Sequence, residues 1–358
     1  MRVRGTAHIF LAFDLGYEID LARAAEKLAV PRGSEAFRHK RGANEEAAEA
    51  RHPLRFTRPT ESLALGMLRT AASFDVAVYS FGAVNLSYSL ALESPLEELV
   101  ETSVLLYDNA ELMRVARKEA EGLLATLGDA LREPSLANAV EDYVVYRLEA
   151  LDGSLAGLER EGRELLARIL RAERGPLSSH EVENALEGRI AYRPGELVLV
   201  DWFAALLVGS DMEDERRVLE LTTVELVELR FLDERLEQRL NEAYGLLARA
   251  QRPVFGLSPR TREVERLARF QADSAILHEN FDNALKLLGD DYLARLYELA
   301  SERFHFGAWD LAIERKLATL ESIYSKISDL AARRRAELLE WIIIFLFVAD
   351  ILILFAER

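Results

Sequence analysis

Apolar and polar positions alternate in short runs over the first 250 residues of this chain, then settle into long helical periods. "HIFLAF", from His8, is a short apolar run that predicts a strand. "EIDLARAAEKLAV" follows with helical spacing, and Pro31 to Pro59, rich in Pro, Gly and basic residues, reads as loop. "DVAVYSFGAVNLSYSL" predicts a strand, a turn near Gly82 and a second strand. "LEELVETSVLLYDNAELMRVARKEAEGLL" continues as a long helix. The same order then returns. "DYVVYRLEAL" reads as strand, "GRELLARILRAE" and "EVENALEGR" as helices, and "ELVLVDWFAALLVG" as strand, turn and strand, before a closing helix through "VELRFLDERLEQRLNEAYGLL". Asp75–Tyr88 lies over Glu196–Gly209 without a gap, and "EAEGLL" at Glu119 matches "EAYGLL" at Glu242. The expectation is an α/β domain over 1–250 containing an internal β-α-β-β-α repeat, 1–130 and 140–250.

"QRPVFGLSP", residues 251–259, is the clearest boundary, with two prolines and a glycine between periodic segments. Beyond it, 260–337 reads as a helical stalk. Ser258 and Pro259 open a first amphipathic helix, and "GDDYLARLYELASERF" forms a shorter one after Gly289. From about Ala308 no Gly or Pro interrupts the chain, so one helix of roughly 50 residues is expected. It carries Ile313, Leu317, Leu320, Tyr324, Ile327 and Ala331 at steps of four and three, a coiled-coil seam. That seam serves either an antiparallel intramolecular stalk or a homo-oligomer.

The last segment, 338–356, predicts a membrane span. Trp341 to Ala356 holds twelve Ile, Leu, Phe or Val residues, with Asp350 the one charge. Nineteen residues from Leu338 rise about 28 Å as a helix, close to a ~30 Å hydrocarbon core. Arg333, Arg334 and Arg335 precede the run and place the bulk of the chain on the cytoplasmic side. Asp350 is expected to meet a partner helix rather than lipid. The fold class expected is therefore α+β with a helical stalk and one C-terminal transmembrane helix. At the other end, the apolar core of "MRVRGTAHIFLAF" is too short for a signal peptide.

"WDLAIERKLATLESIYSKISDLAARRRAELLEWIIIFLF", Trp309 to Phe347, resembles the required-for-meiotic-nuclear-division (sporulation protein) family, a membrane-anchored domain of unknown function. The membrane-proximal "LEWIII", Leu339 to Ile344, carries most of the likeness, and "FLAFDLGYEIDL" and "VAVYSFG" fit it too. The resemblance implies an oligomeric protein of a bacterial inner or plasma membrane or of the mitochondrial inner membrane, linked in mitochondria to support of translation. It brings no catalytic residues.

Composition narrows the chemistry. A formal net charge of −16 argues against direct nucleic-acid binding. The absence of cysteine removes disulfides, Cys-ligated metals and thiol nucleophiles. The six histidines, His8, His39, His52, His180, His278 and His305, show no paired-ligand spacing; "HENFD" at His278 lacks a second His. Phosphate-loop, dinucleotide and hydrolase-elbow motifs are missing, and no cofactor is expected. Asp201 and Trp202 stand at a hairpin turn. The basic stretch Phe37 to Arg58 offers an acidic partner, anionic lipid or RNA a surface, or is simply a solvated loop. Two functional expectations follow. The first is a tail-anchored, non-enzymatic scaffold binding the bilayer, its own copies and a protein partner. The second is a membrane-bound enzyme using carboxylates such as Asp14, Glu18 or Asp201.

Overall fold

The computed structural model describes residues 1–30, 52–251 and 290–356. The linker from residue 252, the helix expected from 260, His39, His278 and the basic stretch up to Arg51 lie outside them. The chain divides into two compact units, Met1–Phe231 with Asn280–Trp309, and Leu232–Glu279 with Asp310–Arg358. The division does not follow the linker.

The first unit is built on eleven strands: β1 (Arg2–Asp14), β2 (Glu18–Ile19), β3 (Leu54–Pro59), β4 (Ala64–Leu65), β5 (Leu68–Val78), β6 (Ala83–Pro95), β7 (Leu131–Arg132), β8 (Glu141–Leu151), β9 (Arg189–Ile190), β10 (Leu197–Val200) and β11 (Ala204–Val208). Nine of them form one sheet in the order β3-β5-β6-β1-β8-β11-β10-β9, with β4 beside β5, while β2 and β7 pair separately. β1 lies antiparallel to both β6 and β8, with Phe10 opposite Ser87 and Tyr143. β8 and β11 run parallel, so the two hairpins, β5–β6 and β10–β11, join the central strands in different senses. Gly82 closes the β5–β6 turn with φ +110°, and a Cβ there would stand 1.9 Å from the Gly16 carbonyl oxygen.

Strand periodicity gives the sheet two unlike faces. On β1, Ala7, Ile9, Leu11 and Phe13 point into an apolar core with Val84, Leu86, Tyr88 and Leu90 of β6. The helices α1 (Leu21–Leu28), α2 (Leu96–Leu106), α3 (Ala110–Leu127), α4 (Leu155–Glu161), α5 (Arg163–Arg171) and α6 (Ser179–Ala185) complete the αβ layer. Of these, α2 and α3 pack on β1 and α5 on β11. The alternate residues His8, Phe10, Asn85, Ser87, Glu141 and Tyr143 look the other way. That face receives the first part of a long helix, α7 (Glu213–Gln251), whose Arg216 stands over the Phe10 ring at 5.9 Å.

Two local expectations change. Leu54–Pro59, read as loop, is strand β3: Leu54 and Phe56 alternate with Arg55 and Thr57, and Pro59 sits at the end of a strand on the sheet edge. The single long helix after β6 is two. Helix α2 ends at Leu106, Asp108 takes the left-handed conformation at φ 47°, and Asn109 caps α3 by accepting from the Leu112 amide at 3.0 Å.

The remaining helices are α8 (Asp291–Arg303) and α9 (Phe306–Ala356). In the second unit Lys316 of α9 pairs with Asp233 of α7 at 2.8 Å. Ile313, Leu320 and Ile327 of the expected seam are buried within the chain itself, and Leu317 and Tyr324 are half-buried. Among the described residues no helix is long and apolar enough to cross a membrane. This overturns the transmembrane helix, the tail anchor, the bilayer as partner and the single-pass membrane location. The uninterrupted apolar stretch, Trp341 to Ala349, is bracketed by Glu340 and Asp350. Its nine residues rise only about 14 Å, half a hydrocarbon core. Trp341 and Ile342 through Val348 are exposed on α9, and Arg333 with them, whereas the side chains of Arg334, Arg335 and Asp350 are not described. What stands is a mixed α+β domain followed by long helices.

Candidate functional site

The polar face of the sheet contains two charge clusters with opposite characters. On the buried side of α7, Glu220 takes up three neighbours. Arg55 Nη1 donates to both its oxygens at 2.9 and 3.0 Å, the Tyr79 hydroxyl donates at 3.1 Å, and Arg216 Nη1 donates at 3.3 Å. Burial alone would raise the Glu220 carboxyl, but Arg55 and Arg216 hold it below the ordinary range. Beside it, burial and then Arg216 and Arg147 push His8 down to about 4, so its imidazole is neutral. Glu213 is brought to about 2: burial opposes its charge, but hydrogen bonds from Arg216 and Arg217 outweigh it. Every charge in this cluster has its counter-charge. It is a closed network, and it stabilises rather than binds.

The second cluster lies where β8 begins. Five segments converge on a cavity of about 260 Å³. The α2–α3 break supplies Tyr107 and Asp108, and the first residues of β8 supply Glu141, Asp142 and Tyr143. The β10–β11 turn adds Trp202 and Phe203, α7 adds Thr223, Leu226 and Arg230, and Phe304 comes from the α8–α9 junction. Two of these segments hold a non-glycine residue in the left-handed region, Asp108 and, after Phe304, His305 at φ 55°. Such conformations persist only where the surroundings fix them.

Rings interlock around the cavity. Tyr107 meets Phe203 edge-on at 4.9 Å, and Phe304 meets Tyr143 at 5.1 Å and Trp202 at 6.2 Å. Arg230 ion-pairs with Glu141, and its guanidinium lies 5.8 Å from both the Trp202 and the Trp309 ring. Glu141 is nonetheless raised to about 7. Burial is the main cause and Asp142 adds to it, against the opposing pull of Arg230. Asp142 is raised by burial too, although the Asp108 amide donates to it at 3.3 Å. Two carboxyls beside one arginine leave this site short of positive charge.

The carboxylates singled out from the sequence are each taken up locally. Asp14 accepts from the Gly16 amide at 3.1 Å at the end of β1. Glu18, exposed on β2, pairs with Arg132 at 3.6 Å. Asp201 is buried against Arg171, which also binds Glu181 at 2.8 Å, and its carbonyl accepts from the Tyr143 hydroxyl at 2.9 Å. Asp201 thus orients the turn, and its neighbour Trp202 reaches the cavity. Glu141, Asp142 and Arg230 escaped sequence reasoning. The one local signal was the acidic pair in "VEDYVVYR", two carboxylates at the head of an apolar strand. Among the described residues no His, Asp and Glu cluster is arranged to hold a metal ion.

No solved structure matches the chain. The uncharacterized protein MJ0711 of Methanocaldococcus jannaschii is 24% identical over 201 residues, which cover 55% of this chain and 61% of that protein. The chain therefore spans about three fifths of that relative's length. The family described as "Uncharacterized protein MJ0711, N-terminal domain" matches residues 4–215, the sheet and the helices α1 to α6 of the first unit. This replaces the resemblance to the required-for-meiotic-nuclear-division family, whose main stretch, Trp309 to Phe347, falls outside the matched region. Over most of its length, and across the sheet that carries the site, the chain belongs to the family of the MJ0711 N-terminal domain.

Proposed function

We propose that the first unit is a small-molecule-binding module whose ligand occupies the cavity at the start of β8. One observation carries this: five distant segments meet around one concavity and bring aromatic rings together with the buried Glu141 and half-buried Asp142 carboxyls, which Arg230 alone answers. Ligand pockets fix their ligand with placed polar groups beside aromatic side chains, and both are present here. Saturation-transfer NMR with a mixture of small amines, acids, sugars and nucleosides tests it. The expected result is transfer to one class of compound, lost in Trp202→Ala and in Phe203→Ala. Transfer that persists in both variants places binding elsewhere and overturns the proposal.

A second reading is favoured by one specific feature. Glu141, at about 7, is poised to take up and release a proton, as a general acid or base must be. The module is then an enzyme, with Glu141 exchanging the proton. A ligand found by the NMR screen that is chemically altered by the wild type, and left intact by Glu141→Gln, distinguishes catalysis from binding.

A further inference from the structure

We infer that the ligand of this cavity is a small organic cation, an amine or quaternary ammonium group, and this rests on the binding role proposed above. Three observations point the same way.

The first is charge. Asp108, Glu141 and Asp142 line the cavity with Arg230 as the one cation among its lining residues. The second is that Arg230 is already committed. Its Nη1 pairs with Glu141, the Trp202 and Trp309 rings flank its guanidinium, and its Nε is buried, so an anionic ligand would compete with Glu141 for it. The third is the remaining wall. Tyr107, exposed, and Phe203, half-buried, present aromatic surface beside the carboxyls, backed by the buried Tyr143 and Phe304 rings. Aromatic faces attract cations through the ring quadrupole, most strongly where water is excluded. A cavity of about 260 Å³ suits a small headgroup. A cation placed here would supply the counter-charge that Arg230 alone does not, stabilising Asp142 and Glu141 as carboxylates.

Protonation should then compete with the ligand. The charged or titratable groups lining the cavity with Glu141 are Asp142 and Tyr143 on its own strand, Arg230 from α7, and Tyr107 and Asp108 from the α2–α3 break; His305 lies against the Trp202 ring at 5.4 Å, and the Asp201 carbonyl accepts from the Tyr143 hydroxyl. Of these, Glu141 is the group held near neutrality.

Calorimetric titration of the full chain tests the inference, with tetramethylammonium, the neutral near-isostere tert-butanol, and acetate. Tetramethylammonium should bind at pH 8 about tenfold more tightly than tert-butanol. Its affinity should fall as pH drops below 7, and Asp142→Asn with Glu141→Gln should abolish the preference over tert-butanol. Phe203→Ala, in the aromatic wall, should weaken tetramethylammonium more than tert-butanol and serves as the second variant if the double substitution fails to fold. Equal binding of tetramethylammonium and tert-butanol, lost in Trp202→Ala, would overturn the cation and keep the binding module. Preference for acetate would do the same. Absence of tetramethylammonium binding would also overturn the inference, while the broader NMR screen decides separately whether the cavity binds anything.

Discussion

The two faces of the central sheet solve different problems with the same strands. On β6, Val84, Leu86, Tyr88 and Leu90 fill an apolar core, while Asn85 and Ser87 between them turn to a face dominated by ions. The apolar face is non-directional: any well-fitting side chain stabilises it by removing hydrocarbon from water. The ionic face is directional. Glu220, on the buried side of α7, is stable only because Arg55, Arg216 and Tyr79 meet it with the right geometry. At the head of β8, where Glu141 of this face adjoins Asp142 of the other, the matching stops. Arg230 answers Glu141, but among the described residues no guanidinium pairs with Asp142, and a cavity opens. A polar surface that is closed at one end and incompletely neutralised at the other separates stability from binding on one sheet.

The largest effect should come from breaking the closed end. Glu220→Ala leaves Arg55 and Arg216 facing each other in the interior, and should cost about 3–5 kcal/mol in denaturant unfolding. Leu86→Ala, on the opposite face, should cost about 2–5 kcal/mol through its cavity. The faces differ in how they are rescued. Replacing Arg55 and Glu220 together by Met and Leu should recover most of the loss, because no unpaired charge then stays buried and Arg216 keeps Glu213. If the pair of replacements were as damaging as Glu220→Ala alone, shape rather than charge matching would hold this face.

A smaller effect concerns pH. The folded state holds His8 at about 4, below its ordinary 6.5, so between those values the unfolded chain binds the extra proton. Stability from a neutral His8 is complete above 6.5 and is lost as pH falls toward 4, on the order of 3 kcal/mol. Glu141, raised to about 7 from 4.5, has the opposite sign, losing stability as pH rises through that window. Melting temperatures from pH 4 to 6.5 should therefore decline less steeply in His8→Phe than in wild type. Parallel curves would show that His8 is not held neutral.

Much of the layer structure could be read from periodicity, because burial on one face of a strand writes itself into alternate residues. "NLSYSL" shows both faces of β6 in six letters, and the steps of four and three from Ile313 mark the buried stripe of α9. The break at Asp108 was missed because apolar helical spacing runs on across it. It was visible only as an Asn that caps, and it is what brings Tyr107 to the cavity. The site itself was beyond local patterns. Residues 107, 141, 202, 230 and 304 meet only through the sheet order, and none belongs to a spaced motif. The membrane span was a misreading of the opposite kind. Hydropathy summed over nineteen residues concealed that the uninterrupted apolar stretch ends at Asp350.

The smallest perturbation is also the most direct test, since it alters no residue. Carboxyl carbon-13 NMR of the wild-type chain, with Glu141 assigned by comparison with Glu141→Gln, follows its ionisation at the open end of the ionic face. The account predicts a midpoint near 7, from burial and Asp142 together outweighing Arg230, and a downward shift when tetramethylammonium is added. A midpoint in the ordinary range near 4.5 would contradict it, because Arg230 would then neutralise Glu141 completely and both ends of the face would be closed.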